Sequence, residues 1–276
     1  MRAAVLNSVP GDLDIEDVAI DKPMANEVLI QTHACGLCHS DLSVMEGGLP
    51  FPVPAVLGHE AAGIVTAVGA DVHEFTVGDR VVGCLSGFCG TCRECVVGNT
   101  WLCEDRPTLQ RSPSDHSRLS RGDDPIGQLG QIGGFAEEML LHRNGIVTVP
   151  DEIPLDRAAL LGCAVLTGVG SVFNGAKVQP GSTVAVIGAG GIGVNIIQGA
   201  ILAGASRVIA VDLHAEKLEL AKVFGATDVV DASAGDPIAA VVDMTKGGVD
   251  YAFEAIGLAA TAQQAMQMIR PGRTAY

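Results

Sequence analysis

Residues 182–195 read STVAVIGAGGIGVN. The first seven form an unbroken, mostly apolar run, as expected of a strand buried on both faces. The residues that follow, GIGVNIIQGAILAGA, read as a helix. Between strand and helix, Gly188, Gly190 and Gly193 space out G-x-G-x-x-G, with Gly191 in the same loop. The first glycine permits a tight turn, the second lets the backbone approach a pyrophosphate, and the third lets helix and strand pack closely. The next strand, SRVIAVD, ends in Asp212, 24 residues after Gly188. A carboxylate there accepts hydrogen bonds from the adenosine ribose hydroxyls and repels a 2'-phosphate, so NAD rather than NADP is the expected cofactor.

Outward from this turn the pattern repeats. AEKLELAKVFGA from Ala215 reads as an amphipathic helix, TDVVD and VDYAFEA as strands, and the residues around 238–244 and 261–269 as helices. Strands alternating with helices predict a parallel sheet of right-handed βαβ units. The sequence stops at RPGRTAY, which leaves an expectation of about four strands of a six-stranded sheet, the fourth at an open edge, in a C-terminally truncated chain. Before Pro150 the signals are short strands separated by Gly, Pro and Asp: EVLIQTHA from Glu27, HEAAGIVTAVG from His59 and DRVVGCL from Asp79. Residues 104–131, rich in Arg, Ser and Asp with little periodicity, are expected to wrap the surface as a long loop. The predicted class is α/β, with a β-rich domain over residues 1–164 and an incomplete dinucleotide-binding domain over 165–276.

Composition removes several alternatives. With 17 Lys and Arg against 32 Asp and Glu, the net charge of -15 repels phosphate backbones and anionic membrane surfaces, so neither nucleic acid nor membrane is an expected partner. The longest uncharged run, residues 181–206, carries Asn195, Gln198 and several glycines and is better read as a buried strand and helix than as a span. The opening residues do not read as a signal peptide, and a cytoplasmic protein is expected.

Cysteine spacing supplies the second strong signal. FCGTCRECVVGNTWLCE places Cys89, Cys92, Cys95 and Cys103 in one loop as C-x2-C-x2-C-x7-C. Disulfides fit a reducing compartment poorly, whereas thiolates at two-residue spacing converge on one tetrahedral ion and close the shell of a structural zinc. A second metal site must be gathered from distant fragments: GLCHSD with Cys38, LGHEAAG with His59 and LGCAVLTG with Cys163. Taken singly, Cys163 reads as a core thiol and His59 as a histidine satisfied by backbone. Together they match a Cys2His shell that leaves zinc's fourth position open. Cys35 and Cys84 read as core thiols, and the remaining histidines show no partner pattern.

GLCHSD, GHEAAG, the four-cysteine loop, GGFAEE, LGCAVLTG and GAGGIG followed by Asp212 occur in the order seen in zinc-dependent medium-chain alcohol dehydrogenases, which the chain resembles over essentially its whole length. The stretch between Cys103 and Gly133 resembles the branch that includes the glutathione-dependent formaldehyde dehydrogenases. The resemblance implies a GroES-like catalytic domain followed by a Rossmann domain, two zinc ions per chain, NAD, and hydride transfer between an alcohol or aldehyde and the nicotinamide. An S-(hydroxymethyl)glutathione adduct is the alternative substrate, and Leu85 falls near the expected pocket.

Role by role, the resemblance makes Cys38, His59 and Cys163 the catalytic zinc ligands, Asp41 the carboxylate that orients the histidine, and Glu60 a carboxylate behind the metal. It makes Ser40 the proton acceptor, His39 a pyrophosphate contact, Thr167 the backing of the nicotinamide and Lys217 a ribose-side contact. Ser43 stands where many members carry a relay histidine. Full-length members are expected as homodimers or homotetramers; a chain truly ending at Tyr276 is expected instead to be a poorly active, zinc-bearing remnant without the normal dimer.

Overall fold

The computed structural model describes all residues, Met1–Tyr276, and the chain divides into two compact units, Met1–Cys163 and Ala164–Tyr276. The first contains β1 (Arg2–Leu6), β2 (Leu13–Asp17), β3 (Ala19–Ile20), β4 (Glu27–Gly36), α1 (His39–Met45), β5 (Ala55–Val56), β6 (Glu60–Val68) and β7 (Arg80–Gly83). It continues with α2 (Arg93–Val96), β8 (Leu119–Arg121), β9 (Asp124–Gln128), β10 (Glu138–His142), β11 (Ile146–Thr148) and α3 (Leu155–Ala158). Two sheets result, ordered β2-β1-β5-β9-β8-β3 and β10-β4-β6-β7-β11. Alternation along β4 buries Val28 and Ile30 in a core shared with Val65, Val81, Met139 and Leu141, while Val5, Val56, Leu119 and Ile126 form the core of the other sheet.

The second unit contains α4 (Ala164–Gly170), β12 (Thr183–Ile187), α5 (Gly191–Leu202), β13 (Arg207–Asp212), α6 (Ala215–Val223), β14 (Asp228–Asp231), α7 (Pro237–Thr245), β15 (Val249–Glu254), α8 (Ala259–Met268) and β16 (Ile269–Ala275). Its sheet is parallel throughout, in the order β14-β13-β12-β15-β16. Along β12, Val184 and Val186 enter one core with Ile196, Ile197 and Leu218. Ala185 and Ile187 enter another with Val241, Ala265 and Met268. Helices therefore cover both faces, which explains why the central strands lack polar alternation. Helix α7 starts where Asp236 caps it, accepting from the Ile238 and Ala239 amides, with Pro237 at the first helical position. No single helix is long and apolar enough to cross a membrane.

Two expectations are corrected. Residues 104–131 are not simply a surface loop: β8 and β9 pair antiparallel, join β3 and β5, and bury Leu109, Leu119 and Ile126. Strands of three and five residues are too short for alternation to show, and the anchoring comes from distant charge pairs. The parallel sheet has five strands rather than four, because Ile269–Ala275 pairs with β15 through Tyr251↔Thr274 and Ala252↔Ala275. Pro271 and Gly272 within it hide the strand signal, and a register shift beside them accommodates the break.

Candidate active site and metal centres

In the first unit, α1 begins directly after Cys38, and its Asp41 reaches back to accept from the Cys38 amide at 3.1 Å. The same carboxylate accepts from the Gly58 amide at 2.9 Å and faces His59 Nδ1 at 3.3 Å. A carboxylate on Nδ1 places the proton there, leaving Nε2 with the lone pair that a metal needs. Cys163 completes the group: ligand atoms of Cys38, His59 and Cys163 all lie within 4.8 Å of one another. Three distant fragments thus converge as the sequence predicts, in a setting where His59, Asp41 and Glu60 are each only 3% exposed.

The protein's own groups polarise this cluster. Cys163 first, then His59, draw the Cys38 thiol down to about 3. Burial works against a charged His59, but Asp41 and Cys38 together raise it to about 10. Two thiols and one imidazole, the latter oriented through its second nitrogen, fit a zinc ion with an open fourth position. With both thiols ionised, their charge balances that of the dication.

Around these groups stand the remaining predicted residues. Ser40 Oγ lies 3.7 Å from Cys38 Sγ, and His39 is exposed at the start of α1. Leu85 is partly exposed. Sequence reasoning missed several glycines. A Cβ on Gly36 would collide with the Glu60 carboxylate, and one on Gly130 would meet Leu85 Cβ at 3.0 Å and His59 Cβ at 3.5 Å. Gly36 opens the GLCHSD fragment, so its signal was in view; Gly130 carried none. Cys35 is a packed thiol between Gly58 and Gly134, and burial pushes it up to about 12.

In the second cluster, Cys89, Cys92, Cys95 and Cys103 also offer sulfurs within 4.8 Å, with Cys89 and Cys95 3.9 Å apart. Amides point at the sulfurs: Thr91 and Cys92 donate to Cys89 Sγ at 3.4 and 3.2 Å, and the Cys89 amide donates to Cys103 Sγ at 3.3 Å. The Thr91 and Cys92 amides lower the Cys89 thiol to about 6. Such donors stabilise thiolates, and four thiolates with no place for water fit a structural zinc.

In the second unit, Gly188 turns at φ +93, and a Cβ on Gly193 would collide with the Gly188 carbonyl. A Cβ on Gly190 would meet nothing within 4 Å, and α5 begins there with no side-chain cap. The start of this twelve-residue helix thus has no capping side chain and has room beside Gly190, which fits a pyrophosphate. Asp212 is buried; Oδ2 accepts from the Ala189 amide at 2.8 Å and Oδ1 from the His214 amide at 3.0 Å, fixing the carboxylate to the glycine loop. Lys217 lies in the first turn of α6 and Thr167 is exposed on α4.

Residues 24–151 match the model of the alcohol dehydrogenase GroES-like domain, and residues 191–275 that of the zinc-binding dehydrogenases. A probable S-(hydroxymethyl)glutathione dehydrogenase 1 of Schizosaccharomyces pombe is 40% identical over 98% of this chain and 73% of its own length. The benzyl alcohol dehydrogenase of Acinetobacter calcoaceticus superposes with a TM-score of 0.86 at 34% identity, covering 100% of this chain and 79% of the other. An alcohol dehydrogenase zinc-binding domain protein from Burkholderia ambifaria gives 0.89 at 35% identity with the same coverage.

Proposed function

The chain belongs to the zinc-dependent medium-chain alcohol dehydrogenase family, and from that premise we propose how its own residues carry the reaction. It is a zinc- and NAD-dependent oxidoreductase acting on alcohols and aldehydes. When bound, zinc supplies Lewis acidity to the substrate oxygen and NAD supplies the hydride acceptor. Cys38, His59 and Cys163 hold the catalytic zinc, and the observation that carries this is their convergence, with Asp41 on His59 Nδ1. Asp41 fixes the imidazole tautomer, and Glu60 adds a buried carboxylate beside Gly36. Ser40 Oγ, beside the Cys38 sulfur, takes the proton from the substrate hydroxyl. His39 contacts the pyrophosphate, and Ser43 with water carries the proton outward. Cys89, Cys92, Cys95 and Cys103 hold the structural zinc. Gly188, Gly190, Gly191 and Gly193 receive the pyrophosphate, Asp212 and Lys217 bind the ribose, and Thr167 backs the nicotinamide. A cytoplasmic homodimer or homotetramer completes the proposal, its assembly state to be read by sedimentation velocity.

Primary alcohols are the proposed substrates. The S. pombe relative's name favours a second reading, in which the alcohol is the hydroxymethyl adduct of glutathione. Comparing kcat/KM for benzyl alcohol with that for formaldehyde premixed with glutathione separates the two. For the site itself, His59→Ala should abolish turnover and leave one zinc per chain by elemental analysis. An active His59→Ala enzyme would sink the assignment.

A further inference from the structure

We propose that Asn144 is the positioning residue of the four-cysteine loop, holding the entry to that loop so that Cys89 meets the other three sulfurs; this rests on reading the loop as a structural zinc site. Asn144 belongs to the turn between β10 and β11, far from the cysteines in sequence. Its Nδ2 donates to the Phe88 carbonyl at 2.8 Å, one residue before Cys89. Its own amide donates to His142 Nδ1 at 3.1 Å, which fixes the backbone from which the carboxamide projects. Next to it, the Gly145 carbonyl accepts from the Cys84 amide at 2.8 Å, so the turn grips the chain at both ends of the Leu85-Ser86-Gly87 stretch.

The turn and the loop entry lie in ordinary van der Waals contact. A Cβ on Gly87 would lie 3.7 Å from Gly145 Cα and 3.8 Å from the Asn144 carbonyl, and one on Gly90 would lie 3.9 Å from Asn144 Nδ2. The turn is itself tied to the unit's body. The Arg143 amide donates to the Asn26 carbonyl at 2.9 Å, and Arg143 Nη1 to the Asp71 carbonyl at 2.8 Å. Cys89 is therefore placed by contacts outside its own loop, before any ion draws the sulfurs together. Losing them returns conformational freedom to the loop and leaves the Phe88 carbonyl to find another donor.

Only a donor serves at this position. Asp has the same shape but would set a carboxylate against a carbonyl, so Asn144→Asp separates hydrogen bonding from packing. The test is the rate at which zinc passes from the loaded protein to a chromophoric chelator, in wild type, Asn144→Ala and Asn144→Asp. One zinc per chain should leave both variants about 3- to 10-fold faster than wild type, the range set by one net hydrogen bond, while the other leaves at the wild-type rate. Wild-type release from Asn144→Asp overturns the proposal. Cys89→Ser tests the underlying reading separately: one zinc per chain upholds it, whereas two would remove the loop as a zinc site and the proposal with it.

Discussion

Asp41 is a charged group with almost no exposure, tolerated because the amides of Gly58 and Cys38 and the ring of His59 surround it. Burial disfavours its charge, yet His59 and the Gly58 amide hold its pKa below the ordinary value. Asp41→Asn preserves the shape and removes the charge that fixes the imidazole. Zinc affinity at the catalytic site should fall about 10- to 100-fold in a competitive chelation titration, and an unchanged affinity would contradict the role. The pH dependence follows from the same contact. A His59 raised to about 10 is protonated at neutral pH in the protein alone, and zinc must displace that proton. Apparent affinity should therefore climb with pH up to about 10, by roughly one decade per unit for each proton displaced. In Asp41→Asn the climb should level off at lower pH. The convergence of Cys38, His59 and Cys163 was legible in the sequence because metal chemistry admits few residue types and the fragments keep their order. Gly36, Gly58 and Gly130 were less so: their need is set by what a Cβ would strike, and those atoms come from elsewhere in the chain.

The β8–β9 segment shows why some elements escape sequence reading. Its anchor is Glu27 at the start of β4, buried against two arginines more than eighty residues away: Arg111 Nη2 at 2.6 Å and Arg118 Nε at 2.7 Å. Arg118 also donates to the Leu109 carbonyl, and Arg111 to those of Lys22 and His116. A polar run that looks solvated in sequence is thus tied down by charge pairs whose partners lie in β4 and the residues before it. Arg118→Met should cost about 2–3 kcal/mol in denaturant unfolding, less than the loss of an only partner because Arg111 remains. Burial alone would raise the Glu27 pKa, but Arg111, the Met24 amide and Arg118 hold it below its ordinary 4.5. Such a depressed carboxylate contributes stability that is present above 4.5 and lost as pH falls through its lowered folded value. The gap between wild type and Arg118→Met should therefore narrow on acidification; a gap constant to pH 3 would mean that packing, not charge, sets it.

Across the whole chain, legibility tracked the distance between pairing partners. In the second unit each strand pairs in parallel with one a βαβ step away or across the first crossover, and periodicity alone suggested the architecture. In the first unit β5 pairs with β9 through Ala55↔Gly127, and β4 with β10 through Gln31↔Glu138, registers that local sequence does not encode. Apart from His39, the proposed binding residues are divided in the same way. Every proposed metal ligand lies within Met1–Cys163, while the glycine loop and Asp212 lie within Ala164–Tyr276. A ligand that binds only the folded state stabilises by RT ln(1 + [L]/Kd), about 2.7 kcal/mol at a hundredfold excess over Kd. That stabilisation should land on the unit that holds the ligand. Hydrogen exchange reads it directly: zinc should slow exchange in residues 36–60 and 84–104, and NAD in residues 183–212. If zinc instead protected residues 183–212 as strongly as residues 84–104, its site could not be confined to the first unit, and the assignment of ligands to units would fail.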